Sequence, residues 1–278
     1  MKRIQKVDQH FSKQSDIFYD KIKFSKELKS HGIRVPEVYA VMNHEGQWDA
    51  FWEAASKYDT LVVKPNRLSR GRSVHIIEKT DNPNIWVQAD GSKVARDFIR
   101  AEALGIVNHR KTWCFFAEER IFCNDWFNTY KYGKGIVDFR IYMLDDNVLY
   151  AKMRCPSKQS GGLANTSKHG IAMFVKNGVI TSTDKFKNCT VVHPDIKIDR
   201  TGTKIPFWKD IEATAVKVAK IFSSPFHSVD LTVNEDGEVV VIEAEKIPTL
   251  GHFSIDEAKY LYDEIGVWMK DKLFKEMR

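Results

Sequence analysis

Short apolar runs rich in β-branched residues recur along this chain, and the most telling is Val229-Asp230-Leu231-Thr232-Val233 followed by Val239-Val240-Val241-Ile242-Glu243-Ala244-Glu245, whose apolar pattern three carboxylates break. The pattern predicts two strands joined through Asn234-Glu235-Asp236-Gly237. A four-residue loop from Glu235 to Glu238 places Asp230 opposite Glu243. A two-residue loop places it opposite Val241, on the same face and one step from Glu243. Runs of the same kind predict strands over Val38 to Met42, Leu61 to Pro65, Ser73 to Ile77, Thr112 to Ile121, Val137 to Leu144 and Val148 to Arg154, with a clean period of two in Asp138-Phe139-Arg140-Ile141-Tyr142. A further hairpin, Ile171 to Val175 and Val179 to Ser182, turns at Lys176-Asn177-Gly178.

Helical spacing appears between these strands. Ser15 to Ser30 carries Phe18, Ile22, Phe24 and Leu28 and stops before Gly32 and Pro36. Helices are also expected from Trp48 to Tyr58, over 93–103, and from Trp208 to Phe222 with Ile211, Ala215, Val218 and Phe222 on one stripe. Ser254-Ile255-Asp256-Glu257 reads as a capping box before a last helix with Ile255, Ala258, Tyr262, Ile265, Met269 and Leu273 on the core side. Residues 125–135, 156–170 and 184–206 read as mainly irregular. The fold class is therefore α+β, with antiparallel hairpins covered by helices.

Composition narrows the function classes. The 278 residues are 43% hydrophobic and 29% charged, as in an ordinary globular protein large enough for a sizeable core. A net charge of +6 favours an anionic ligand, but lacks the charge density of a nucleic-acid arm, so nucleic acid is not expected as a partner. Cys114, Cys123, Cys155 and Cys189 are scattered, which argues for reduced thiols, a cytoplasmic protein and no zinc pair. No apolar run reaches the roughly 20 residues of a membrane span, and no secretory leader is visible.

Several charged positions interrupt the apolar pattern. Asp230, Glu243 and Glu245 converge on one patch, and grouped carboxylates repel unless protonated or paired with a cation. Hard oxygen donors suit Mg2+, especially with phosphates completing its shell; a solvated edge hairpin is the competing reading. Lys64 sits on an apolar strand before a loop containing Arg67, Ser69, Arg70, Gly71 and Arg72. That suits phosphate oxygens, or a lysine reaching solvent past a strand end. Because the loop leads into a strand, it differs from a helix-opening phosphate loop. Glu118-Glu119-Arg120-Ile121 ends an apolar strand and suits either an adenine edge with ribose hydroxyls or a plain charged terminus. Asp138 and Arg140 share a strand face with Tyr142, and Arg154 ends the next strand. This is an anion clamp or a structural ion pair. Asn165 suits a metal or phosphate contact, or turn chemistry. No Ser/His/Asp order or metal-spaced His pair is present.

The order of these segments resembles the ATP-grasp superfamily of carboxylate–amine ligases over nearly the whole chain. Asp20-Lys21 with Gly32-Ile33-Arg34-Val35-Pro36 is similar to its opening "DK … GIPVP". Val62-Val63-Lys64-Pro65 with Ser69-Arg70-Gly71-Arg72-Ser73-Val74 is similar to its lysine strand and phosphate-covering loop, with one glycine where several are usual. Glu118-Glu119-Arg120-Ile121 resembles the "EEYI" hinge. Asp138-Phe139-Arg140, Arg154 and Asn165 to Gly170 resemble the ribosomal-protein glutamate ligase branch. Asp230 and Glu243-Ala244-Glu245 resemble "VDI … EVN", with Glu245 in place of asparagine.

The resemblance implies two α+β subdomains with antiparallel sheets clasping ATP: an N-terminal arm over 1–15, then an ATP-grasp domain over 16–278 divided at about 60–120 and 121–278. The usual preceding α/β domain is expected to be lacking. It assigns Lys21, Lys64, Ser69, Arg70, Gly71, Arg72, Glu118, Glu119, Arg120, Ile121, Asp138 and Asn165 to the nucleotide. Arg140, Arg154 and Lys64 fall to catalysis, and Asp230, Glu243 and Glu245 to Mg2+ (one or two ions, with Mn2+ an alternative). The implied reaction joins a carboxylate to an amine through an acylphosphate, releasing ADP and phosphate. The substrates would be a peptide, an amino acid or a sugar-linked precursor, since the compact form also resembles ATP-grasp proteins found beside sugar-transfer genes. A kinase on the same scaffold and a non-catalytic module for anionic polymers are the alternatives, and a homodimer is left open.

Overall fold

The computed structural model describes residues 17–68, 71–109, 113–181, 195–222, 224–246, 248, 259–260, 262–268 and 270. They form two six-stranded antiparallel sheets with helices on their outer faces. The first sheet contains β1 (Val38–Met42), β2 (Thr60–Pro65), β3 (His75–Lys79), β4 (Ile85–Gln88), β5 (Lys93–Ala95) and β6 (Phe115–Glu119), in the order β1-β6-β2-β3-β4-β5. The second contains β7 (Asp138–Leu144), β8 (Asn147–Cys155), β9 (Ile171–Lys176), β10 (Val179–Thr181), β11 (Phe226–Val233) and β12 (Val239–Lys246), in the order β10-β9-β8-β7-β11-β12. The helices α1 (Lys21–Ser30), α2 (Trp48–Ala55), α3 (Arg96–His109) and α4 (Trp208–Phe222) follow, and residues 262–268 are helical as well.

Each sheet buries one face against its helices. Trp48, Phe51 and Trp52 of α2 and Ile99, Ala103 and Ile106 of α3 pack on Leu61, Val63, Ile77 and Phe115 of the first sheet. The stripe Ile211, Ala215, Val218 and Phe222 of α4 packs on Phe139, Ile141, Val229, Leu231 and Val241 of the second. Burial of each large side chain in such a stripe contributes about 1.5–3 kcal/mol. Strict alternation then leaves the opposite faces, with Lys64 and Glu118 on one sheet and Arg140, Arg154 and Asp230 on the other, turned away from the two cores.

Several expected elements need correction. The helix expected over 93–103 is β5 followed by α3, and β4 is a strand that was not among those expected. The helix from Trp48 ends at Ala55 rather than Tyr58, and α1 starts at Lys21, where the Asp20 carboxylate accepts the Lys23 N–H at 3.2 Å. Tyr262, expected on a core face, is 49% exposed, while Ile265 is buried. Ile255, Ala258, Met269, Leu273, the capping box and the arm over 1–15 lie outside the described residues. Cys114, Cys123 and Cys155 are buried free thiols.

The β11–β12 turn follows neither expected loop length. Asn234 and Glu238 close a three-residue loop, with Asn234 N–H donating to the Glu238 carbonyl at 2.9 Å and Gly237 at φ +84°. Val233 pairs with Val239, Leu231 with Val241, and Asp230 with Glu243. Ile242 is thus an extra residue, a bulge in β12. Without it Asp230 would face Ile242, and Glu243 and Glu245 would turn to the other side of the sheet. The bulge restores the register that puts the three acids on one face.

Candidate functional site

The faces of the two sheets that turn away from the two cores flank an open cleft. Val62, Val74 and Ile76 form one wall, and Ile121, Ile136, Leu163 and Ile242 the other. At the polar end stand Lys21, Lys64, Glu118, Asp138, Arg154, Asp230 and Glu243. Two apolar walls ending in cations and acids suit a flat apolar ring with an anionic tail.

Three chain segments meet at Lys21. Its backbone N–H donates to the Asn66 carbonyl at 3.1 Å, and its Nζ donates to the Leu68 carbonyl at 2.9 Å and lies 3.4 Å from Glu243 Oε2. Arg67 reaches the helix-capping Asp20 at 3.1 Å. The base of the β2–β3 loop is therefore fastened to α1 and, through Lys21, to β12. Gly71, at φ +65°, lines the cleft, whereas Arg72 is exposed and does not. Ser69 and Arg70 lie outside the described residues.

Lys64 is 6% exposed, pairs with the buried Glu118 and stands 5.4 Å from the centre of the Phe116 ring. Burial pushes the Glu118 carboxyl up, and the neighbouring Lys64 ammonium opposes that shift. The other hinge side chains are committed elsewhere. Glu119 accepts from Arg34 at 2.6 Å and from the Glu37 N–H at 3.0 Å. Arg120 is buried, donates to the Lys134 carbonyl at 3.1 Å and lies 3.5 Å from Glu78. What Glu119, Arg120 and Ile121 present to the cleft is a wall rather than free charges. Asn165 lines the cleft too, but its Oδ1 accepts from the Ser167 N–H at 2.9 Å and hydroxyl at 2.8 Å, the turn chemistry of its loop.

On the second sheet acids and arginines alternate. Arg154 donates to both Asp138 oxygens, at 2.5 and 2.7 Å, and to Asp230 Oδ2 at 2.7 Å. Arg140 grips Asp230 at 2.8 and 2.7 Å and reaches Glu245 at 2.9 Å. Burial pushes Asp230 up, but the two guanidiniums outweigh it and hold the carboxyl at about 2. Burial also pushes Asp138 and Glu245 up, against the pull of their arginines. The cations that neutralise the acids of this face are thus arginines and Lys21 of the chain itself.

The three acids expected at the metal are placed differently from one another. Glu245 does not line the cleft, and among the described residues no three His, Cys, Asp or Glu side chains are grouped to hold a metal. Asp230 has accepted three hydrogen bonds of the roughly four its oxygens can take. Glu243 is 33% exposed and touched only loosely by Lys21. Glu243, with one remaining Asp230 lone pair, fits a Mg2+ whose other ligands are phosphate oxygens and water. Arg140 also falls outside the cleft lining, while Arg154 is part of it.

The cleft-wall residues Val62, Val74, Ile76 and Ile242 were not singled out from sequence. Val62 lies two residues before Lys64 and therefore shares its face, which is the signal that finds it. Leu163 offers none, because it stands in an irregular loop.

A family model described as sugar-transfer associated ATP-grasp matches residues 7–265. The chain belongs to this ATP-grasp family. A D-alanine–D-alanine ligase from Bacillus anthracis, solved with ATP, is similar in fold at 16% identity and TM-score 0.52, over 95% of this chain and 69% of that one. A second structure of that ligase gives 17% identity and TM-score 0.50, over 95% and 71%. The ATP-grasp ligase PsnB, solved with a minimal precursor, gives 14% identity and TM-score 0.42 over 85% of this chain. The chain spans about half of the PsnB length, 54%. A search of curated proteins gives no match. No helix among the described residues is long and apolar enough to cross a membrane.

Proposed function

We propose that this ATP-grasp chain is an ATP-dependent carboxylate–amine ligase. The observation that most supports this reading is the cleft between the sheets, apolar along its walls and ending in Lys21, Lys64 and Glu243. Adenine lies between Val62, Ile76, Ile121 and Ile242, and the phosphates run toward the two lysines beneath the β2–β3 loop. Mg2+ on Glu243 and Asp230 would draw charge from the phosphate oxygens. Lys64 and Lys21 stabilise charge that grows on the leaving ADP, and Arg154 faces the transferred phosphoryl group.

In the first step a substrate carboxylate oxygen attacks the γ-phosphorus; the new O–P bond forms as the bond to ADP breaks. In the second, an amine nitrogen attacks the acyl carbon, phosphate departs, and the amine gives up a proton. The cleft walls keep water from the acylphosphate. A peptide, an amino acid or a sugar-linked precursor fits the acid and amine roles.

The test is product analysis with Mg-ATP and a panel of acids and amines. ADP and phosphate are expected only when an acid and an amine are both present. AMP would overturn the acylphosphate route, and ADP formed with a hydroxyl acceptor and no amine would make the chain a kinase.

A further inference from the structure

Glu245 is the hairpin acid that the cleft does not use. Its side chain is 37% exposed, and its Oε2 accepts from Arg140 Nη1 at 2.9 Å. The Nε and Nη2 of Arg140 are fixed on Asp230. The Nη1 edge is turned away from that pair and already holds a carboxylate supplied by the chain.

A second unused group stands beside it. Ser228 on β11 is directly opposite Glu245 on β12 and opposite Tyr142 on β7. It shares the face of Asp230, two residues on. Directly opposed side chains have Cβ atoms about 4.5–5.5 Å apart. Ser228 is fully buried, and its hydroxyl finds no hydrogen-bond partner among the described residues. An orphaned buried hydroxyl is costly to keep, so its place opposite Glu245, the acid that Arg140 holds, calls for an acceptor.

Charge identifies the kind of acceptor. Asp138, Arg154, Asp230 and Arg140 cancel in pairs, and Glu245 adds one negative charge. A substrate carboxylate replacing Glu245 would restore that charge and geometry, whereas a phosphate dianion would overload the network.

We propose that Arg140 Nη1 and Ser228 Oγ form the subsite for the carboxylate of the acid substrate, and that Glu245 holds its Arg140 side until that substrate displaces it. The role of the ligand as a substrate rests on the ligase reading; the subsite is tested without turnover. On displacement the Glu245 side chain moves into water it already touches, so the exchange costs little desolvation. Glu245, where the resemblance expects an asparagine, thereby acts as a specificity filter: only an acid that outcompetes the internal one is held.

The experiment measures binding of propionate by saturation-transfer NMR, and of Mn2+ with a non-hydrolysable ATP analogue by calorimetry. Wild type, Glu245→Gln and the double variant Glu245→Gln, Ser228→Ala are compared, with melting curves as the check on folding. Glu245→Gln is expected to bind propionate about tenfold or more tightly than wild type, as for release of one charge-assisted hydrogen bond. Adding Ser228→Ala is expected to remove much of that gain, and metal–nucleotide affinity is expected to stay within about twofold of wild type. Unchanged propionate binding in Glu245→Gln overturns the proposal. So does a loss of metal–nucleotide affinity of about tenfold, which would make Glu245 a metal ligand. Absence of nucleotide binding in wild type instead overturns the ligase reading and leaves the propionate comparison to be judged separately.

Discussion

Lys64 and Glu118 form an ion pair between neighbouring strands β2 and β6, with each side chain only 7% exposed. Replacing Lys64 by Met leaves a buried carboxylate without its cation, a change that costs about 3–5 kcal/mol. Glu118 avoids part of that cost by keeping a proton, so its folded pKa moves further up. The folded state then binds more protons than the unfolded state as pH rises above the ordinary carboxylate range, and stability falls. Urea unfolding of Lys64→Met is expected to show a larger deficit relative to wild type at pH 8 than at pH 5. An equal deficit at both would mean that Glu118 stays ionised.

Asp230 and Glu243 face each other on one hairpin but carry different burdens. Asp230 is held by two guanidiniums and is 2% exposed, so Asp230→Asn leaves the buried Arg154 and the half-buried Arg140 underpaired, at a cost of about 3–5 kcal/mol. Glu243 is half-buried and 3.4 Å from Lys21, so Glu243→Gln costs under about 1 kcal/mol. Both substitutions are expected to suppress Mg-ATP-dependent turnover, with only the first lowering the unfolding midpoint appreciably. A Glu243→Gln protein that turns over normally would remove this residue from the metal site.

The contrast shows which parts of the site were legible in sequence. The hairpin, its three acids and Lys64 on an apolar strand follow from short β-branched runs and the charges that interrupt them, and the Asp138-Phe139-Arg140 alternation follows from period two. The span Trp208–Phe222 follows from period 3.6. Pairing across strands does not. That Arg140 faces Asp230 and Arg154 faces Asp138 depends on strand order, and that Glu243 and Glu245 share the face of Asp230 depends on the bulge at Ile242, neither of which a local pattern carries. Convergent acids were read as asking for a metal because arginines some 75–105 residues away are invisible to a local argument. β4 was missed for a different reason: Trp86 is its one buried residue, and Asp81, Asn82, Pro83 and Asn84 before it read as loop.

His227 makes stability depend on pH well away from the carboxylates. Burial pulls its pKa from 6.5 down to about 4, against a Nδ1–H donated to the Ser224 carbonyl at 2.9 Å, and its ring lies 5.9 Å from that of Phe18. Between these two values the unfolded chain binds a proton that the folded chain does not. Stability therefore rises with pH through that window and is fully present above about 6.5. The difference is on the order of 3 kcal/mol. Urea unfolding at pH 5 and pH 7 is expected to show this slope in wild type and a smaller one in His227→Leu. An identical slope in both would assign the effect to other groups.

Gly135 sits where two cleft-lining segments touch. A Cβ there would lie 2.0 Å from the Gly162 carbonyl oxygen and 2.8 Å from Pro156 Cγ. The obstructing atoms include backbone, so Gly135→Ala must push 156–163 away from 133–136, costing about 1–3 kcal/mol. Ile136 and Leu163 stand on these two segments and both line the cleft, so a weaker hold on nucleotide is expected along with the lower stability. Gly105 supplies the control. It lies in α3, is exposed, and a Cβ there would meet nothing within 4 Å. Gly105→Ala is expected to stabilise the protein by about 0.5–1 kcal/mol through helix propensity alone, with nucleotide affinity unchanged. Calorimetric titration with a non-hydrolysable ATP analogue, alongside thermal melting, separates the two. Equal nucleotide affinity in Gly135→Ala and Gly105→Ala would mean that the contact between the two segments does not shape the cleft.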